Sequence, residues 1–245
     1  MQDRIESATV GEIVATDFRA AEVFEGFGID FCYGGRRSLA DACKSAAVDP
    51  AAVVRALQGI ERPANDAGNV DGWPLDRLIE YIVETHHSYV RRALPVIARH
   101  LDRLEQAHGE RHRELARVID VFRELGTELS QHMLKEEQVL FPYIRELVEL
   151  DRQEYIGRRR PFGTVENPIR MMEREHREAA DALRIVRELT NGYQAPEDGC
   201  ATYETCMAEL DRFERDLHRH VHLENNVLFS RAVALERSQD GAERC

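Results

Sequence analysis

Beyond residue 74 the chain repeats one pattern: apolar residues at steps of three and four with charged residues between them. The pattern fills four long segments, broken near Gly109, across Asp151 to Pro168 and across Asn191 to Gly199. That spacing lines apolar side chains along one stripe of an α-helix, and strand-type alternation is absent. In the second segment Leu115, Val118, Phe122, Leu125, Leu129, His132, Glu136, Val139, Tyr143 and Leu147 share the stripe. In the fourth, Leu210, Phe213, Leu217, His220, Glu224, Val227 and Leu228 do. The pattern predicts an all-α, up-down four-helix bundle in which two helices each turn a His and a Glu toward the core.

The first sixty residues read instead as several short helices with their own start signals. Thr9 and Glu12 have capping-box spacing, and Asp49 precedes Pro50 as an N-cap precedes a first-turn proline. A turn, Gly28 to Gly35, lies between them. From Glu61 to Pro74 the chain is rich in Pro, Asn, Asp and Gly and loses its periodicity, as a linker does. The expected organisation is a small helical domain over 1–60, a linker over 61–74, the bundle over 75–237 and a tail over 238–245.

The polar residues on the stripes carry the chemistry. His132 and Glu136 recur as His220 and Glu224 at a constant offset of 88 residues, each pair followed by Val-Leu-Phe. A His and a Glu four apart share a helix face with about 6 Å of rise between them, so both reach one small cluster. The first segment adds His87, on a stripe with Ile79, Val83, Val90, Leu94, Ile97, Leu101 and Leu104. The third adds His176, with Ile169, Met172, Ala179, Leu183 and Val186. His86 rivals His87, since Ile82 and Ala93 share its face, but the stripe through Leu101 and Leu104 keeps phase with His87.

One histidine on an apolar stripe is commonly a hydrogen-bonded core residue. Two buried, ionised carboxylates are a different matter, because without cations each costs several kcal/mol. The set His87, His132, Glu136, His176, His220 and Glu224 therefore reads as a metal site. If both glutamates bridge and each metal takes two imidazoles, an oxo or hydroxo bridge raises each of two irons to five ligands and leaves a sixth position open. Imidazole and carboxylate without thiolate favour iron or manganese over a structural zinc. Glu137 lies one step off the stripe and is expected not to matter to the metal. His100, His108, His112, His218 and His222 fall off the stripes or near segment ends and read as solvated.

Composition narrows the function. A formal charge of −12 argues against a nucleic-acid groove, and the run Arg158 to Arg160 is too short to reverse it. No stretch approaches the roughly 20 apolar residues that span a bilayer, and acidic Asp3 and Glu6 do not open a secretory signal. The five cysteines, Cys32, Cys43, Cys200, Cys206 and Cys245, are odd in number and scattered, as reduced thiols are. A cytoplasmic protein is expected.

The motifs His86-His87-Ser-Tyr-Val-Arg-Arg, His132-Met-Leu-Lys-Glu136-Glu-Gln-Val-Leu-Phe-Pro142, Glu173-Arg-Glu-His176 and His220-Val-His-Leu-Glu224-Asn-Asn-Val-Leu-Phe resemble those of the repair-of-iron-centres family. Its members join a small N-terminal domain to a haemerythrin-like bundle. The family's ligands fall on the same six residues. Thr9-Val-Gly-Glu12-Ile13 and Phe31-Cys32-Tyr33-Gly34-Gly35 resemble its accessory domain, with Tyr33 where a second cysteine usually stands. Cys32 then reads either as a redox or iron-transfer thiol or as a buried, inert one. The resemblance implies a stress protein that restores iron–sulfur clusters damaged by nitric oxide or peroxide. Iron donation, reversible binding of O2 or NO by a sensor or carrier, and nitric oxide reduction are the competing activities. Damaged iron–sulfur proteins are the expected clients, and a homodimer is an open assembly.

Overall fold

A computed structural model describes residues 8–17, 19–31, 34–60, 70, 72–153 and 163–242. Cys32, Tyr33, most of the expected linker and the run Arg158 to Arg160 lie outside the described residues. Among those described, the regular structure is helical, with one isolated antiparallel bridge between Thr9 and Ser38. The fold is all-α, as the periodicity predicts.

Four short helices come first: α1 (Val10–Thr16), α2 (Ala20–Gly26), α3 (Leu39–Ser45) and α4 (Pro50–Gln58). Then α5 (Leu75–Tyr81) passes through a π turn, Ile82–His87, into α6 (Ser88–His108). Likewise α7 (Glu114–Lys135) passes through Glu136–Leu140 into α8 (Phe141–Gln153). After α9 (Glu166–Leu189), α10 (Ala201–His222) passes through a third π turn, Leu223–Leu228, into α11 (Phe229–Ala242). The chain divides into two compact units, one of Met1–Leu78 with Arg219–Cys245 and one of Ile79–His218.

The first unit is built on capped short helices. Thr9 Oγ1 accepts from Glu12 N at 3.2 Å while Thr9 N donates to Glu12 Oε2 at 2.8 Å, which is the capping box the sequence predicts. Asp49 caps α4 by accepting from Ala51 N, with Pro50 at the first helical position. Gly28, at φ +66°, ends α2 in the left-handed region, and Ile29 N returns to Phe24 O at 2.8 Å. Val10, Phe24, Phe31, Leu39 and Val53 are buried in this unit, as are Val227, Leu228 and Phe229. Burying each such side chain contributes about 1.5–3 kcal/mol.

In the second unit α6, α7, α9 and most of α10 supply the bundle core. Ile97, Leu101 and Leu104 of α6, Leu115, Phe122 and Leu125 of α7, Leu183 and Val186 of α9, and Leu210 and Phe213 of α10 are each at most 1% exposed. Phe122 and Phe213 meet edge to face with ring centroids 5.6 Å apart.

The π turns correct one part of the expected stripe. A π turn inserts a residue and slips the helix phase by one position. Thus Val139, placed on the stripe by strict periodicity, is 41% exposed, and Leu140 is buried in its place. Below the slip Tyr143 and Leu147 return to the core.

Candidate metal centre

His87 ends the first π turn and Glu136 begins the second. Both are fully buried, and His132 and His176 are 2% and 1% exposed. The structure brings these four predicted residues together. His87 Nε2 lies 3.4 Å from Glu136 Oε2, and His132 Nε2 lies 3.3 Å from Glu136 Oε1. His176 Nε2 lies 2.9 Å from His132 Nε2, and the ligand atoms of His132, Glu136 and His176 are all within 4.8 Å of one another. His86 turns elsewhere: its Nδ1 is 3.1 Å from Asp216 Oδ1, and its ring meets Tyr81 edge-on. In the other unit His220 Nε2 stands 2.9 Å from Glu224 Oε1, both residues buried, at and just after the end of α10.

Periodicity does not foresee the carboxylates behind the histidines. His87 Nδ1 is 2.6 Å from Glu137 Oε1, which also accepts from Arg91 Nη2 at 2.6 Å. His132 Nδ1 is 2.8 Å from Glu175 Oε2, and Glu175 Oε1 accepts from Lys135 Nζ at 2.5 Å. Hydrogen bonding from His132 above all, then from Lys135, holds the Glu175 carboxyl down to about 2 against the opposing effect of burial. Glu137 is thus not neutral to the site, contrary to its off-stripe position. Its carboxylate reaches the outer nitrogen of His87 from the flank of the Glu136 face. The signal available in the sequence was adjacency, since Glu137 follows Glu136 and Glu175 precedes His176.

These partners set the tautomers. With Nδ1–H donating to a carboxylate, His87 and His132 each turn an Nε2 lone pair inward. Both inward lone pairs then face oxygens of Glu136, an arrangement that repels unless a cation lies between them. Donor atoms about 2.1 Å from one ion and at right angles to each other lie about 3 Å apart, close to the spacings found here. The donor set therefore fits a bound metal.

Two histidines read as solvated are buried instead. His108 is 7% and His222 1% exposed. His222 packs its ring 5.9 Å from that of Phe31, and its Nδ1 lies 3.1 Å from Asn226 Nδ2. Burial pushes its pKa down to about 3, with Arg219 adding to the effect. The periodicity of one helix does not reveal a flank covered by residues distant in sequence. Beside His132, Glu128, Gln131, Lys135, Glu175 and Glu178 line a cavity of about 200 Å³. Burial first, then the negative charges of Glu124, Glu178 and Glu175, raises the Glu128 pKa.

No helix among the described residues is long and apolar enough to cross a membrane. Residues 78–232 match the haemerythrin HHE cation-binding domain, and residues 6–61 match ScdA_N, a domain of unknown function. The iron-sulfur cluster repair protein YtfE of Musicola paradisiaca is 32% identical over 92% of this chain and 96% of its own length. ScdA of Staphylococcus haemolyticus, also an iron-sulfur cluster repair protein, is 32% identical over 91% of this chain and 96% of its own. YtfE of Yersinia pestis is 32% identical over 92% and 96%. With the haemerythrin model matched over 78–232 and these relatives 32% identical over more than nine-tenths of the chain, the chain belongs to the haemerythrin HHE family, in the YtfE and ScdA branch of iron–sulfur cluster repair proteins.

Proposed function

We propose that the protein repairs damaged iron–sulfur clusters by supplying iron from a di-iron site held by His87, His132, Glu136, His176, His220 and Glu224. The observation that carries the reading is the position of Glu136. Its two oxygens face inward nitrogens of two different histidines, at 3.4 Å and 3.3 Å, and both rings are tied from behind by carboxylates. A carboxylate so placed is suited to bridging one cation on each side. The His220 and Glu224 pair repeats the His132 and Glu136 spacing and would supply the second half of the donor set, with an oxo or hydroxo bridge completing it. Bound iron would supply the cargo and an open coordination position.

The chain's own residues would govern its movement. Glu137 and Glu175 hold the imidazoles in the ligand tautomer, and the acidic cavity beside His132 favours a cation over an anion on its way to or from the donor set. Damaged iron–sulfur proteins are the proposed clients, in the cytoplasm, under nitrosative or oxidative stress.

The test is reactivation of a nitric-oxide-damaged iron–sulfur enzyme by the purified, iron-loaded protein. The expected result is recovered activity with about one iron lost from the protein for each iron regained by the client. Sustained consumption of nitric oxide without repair would identify a reductase. Reversible binding of O2 or NO with iron retained would identify a sensor or carrier. In the same assay Cys32→Ser separates thiol-assisted transfer from direct transfer: slower repair at unchanged iron content indicates the former.

A further inference from the structure

The last residue of α6, His108, lies 21 positions beyond His87, about 30 Å along the helix at 1.5 Å per residue. Far from the proposed ligands, His108 presents Nε2 to Cys200 Sγ at 3.3 Å. The histidine is 7% exposed, whereas the thiol is exposed. Tyr203 packs edge-on against the His108 ring with centroids 5.6 Å apart.

His108 Nδ1 is buried and meets no hydrogen-bond partner among the described residues. A proton there would lose its hydrogen bond, so the neutral ring carries it on Nε2, aimed at the sulfur. A sulfur that accepts such a bond is stabilised as thiolate.

Two further features act in the same direction. Cys200 immediately precedes the 22-residue α10, and its carbonyl accepts from Tyr203 N at 2.8 Å and Glu204 N at 3.1 Å. Its sulfur therefore sits at the positive end of a long helix. Two carboxylates of this region, which would oppose a thiolate, are already engaged: Asp198 by Arg111 at 2.8 Å and by His112 at 2.9 Å, and Glu114 by His112 at 3.0 Å. The hydrogen bond from His108, followed by those from the amides of Tyr203 and Thr202, brings the Cys200 thiol down to about 7. Burial pushes Cys206 up to about 12 and raises Cys43 as well.

We propose that Cys200, paired with His108, is a reactive thiol that forms mixed disulfides with low-molecular-weight disulfides. The thiolate attacks one sulfur of the small disulfide, and a new S–S bond forms as the old one breaks. The electron pair leaves with the departing thiolate, which takes a proton from water. Cys200 is oxidised and the departing sulfur is reduced, so no further oxidant is needed.

The experiment exposes the full-length protein to oxidised glutathione between pH 5.5 and 9.5 and measures the adduct at Cys200 by peptide mass spectrometry. The rate should reach half its maximum near pH 7. In His108→Leu the midpoint should move toward that of an ordinary thiol, about 8.5. At pH 7 this variant should react about three- to fivefold more slowly, because its smaller thiolate fraction is partly offset by a more basic, more nucleophilic sulfur. A midpoint at pH 8 or above in the unsubstituted protein overturns the proposal, and this readout does not depend on the variant's folding. So does preferential modification of Cys43 or Cys206, or an unchanged pH 7 rate in a folded His108→Leu protein.

Discussion

Glu137 Oε1 lies 2.6 Å from His87 Nδ1, on the far side of the ring from Glu136, its neighbour in sequence, whose Oε2 faces Nε2 at 3.4 Å. One imidazole is thus gripped by two consecutive glutamates with opposite tasks, one facing the donor cluster and one fixing the tautomer. Glu137→Ala should weaken iron binding about 10- to 100-fold, the usual cost of losing the hydrogen-bond partner of a ligating histidine. Glu137→Gln, which keeps a carbonyl acceptor, should lose less. Competition with a calibrated chelator measures both. Affinity unchanged in Glu137→Ala would show that His87 needs no orienting partner.

Glu175 does the same for His132, with Lys135 closing the other side of the carboxylate. Glu175→Ala should fall in the same 10- to 100-fold range. Lys135→Met should cost far less, since the Lys135 side chain is 43% exposed and its ammonium pairs with Glu175 Oε1, the oxygen other than the one that meets the ring. Equal losses in the two variants would mean that the ion pair, not the imidazole contact, matters.

Glu136→Ala and Glu224→Ala are the stronger changes, because each removes a proposed bridge. Iron per chain, measured after anaerobic loading, should fall from about two toward one or none. A single tightly held zinc in the unsubstituted protein would refute the di-iron assignment.

The helical fold and the six candidate ligands were legible in the sequence because both rest on local periodicity. A stripe of Leu, Val and Phe interrupted by His132 and Glu136, then repeated 88 residues on, needs no tertiary knowledge. The exposure of Val139 was not legible, because the π turn over Glu136–Leu140 breaks the period from which the stripe is drawn. The roles of Glu137 and Glu175 depend on contacts 50 and 43 residues apart in sequence, which no helical wheel contains. His222 shows the same limit: Phe31, far off in the chain, closes the flank that its own helix leaves open.

The Gly34-Gly35 turn has a steric reason for its second glycine. A Cβ at Gly35 would lie 2.7 Å from Phe31 O and would also strike the Asn226 side-chain amide, whose Nδ2 donates to that same carbonyl at 3.3 Å. Backbone cannot yield as a flexible side chain does, so Gly35→Ala should destabilise the protein by about 1–3 kcal/mol. Gly72→Ala, where nothing lies within 4 Å, should change stability little. Urea denaturation followed by circular dichroism compares the two, and equal midpoints would remove the steric argument.

His112 gives a pH dependence whose sign is fixed by its partners. Hydrogen bonds from its ring to Asp198 and Glu114 raise its pKa above 6.5, and the same contact lowers that of Asp198 below 3.8. A raised histidine contributes stability that is fully present below its unfolded pKa and is lost as pH rises through the folded one. A lowered carboxyl contributes stability present above its unfolded pKa and lost as pH falls through the folded one. The pair therefore favours the native state most between about pH 4 and 6.5. Melting temperatures of the unsubstituted protein and of His112→Gln, measured from pH 6 to 9, isolate the alkaline side because other titrating groups cancel in the difference. That difference should favour the unsubstituted protein at pH 6 and shrink toward pH 9. A difference that stays constant or grows would show that the charged form of His112 contributes nothing, and that its contacts with Asp198 and Glu114 serve packing alone.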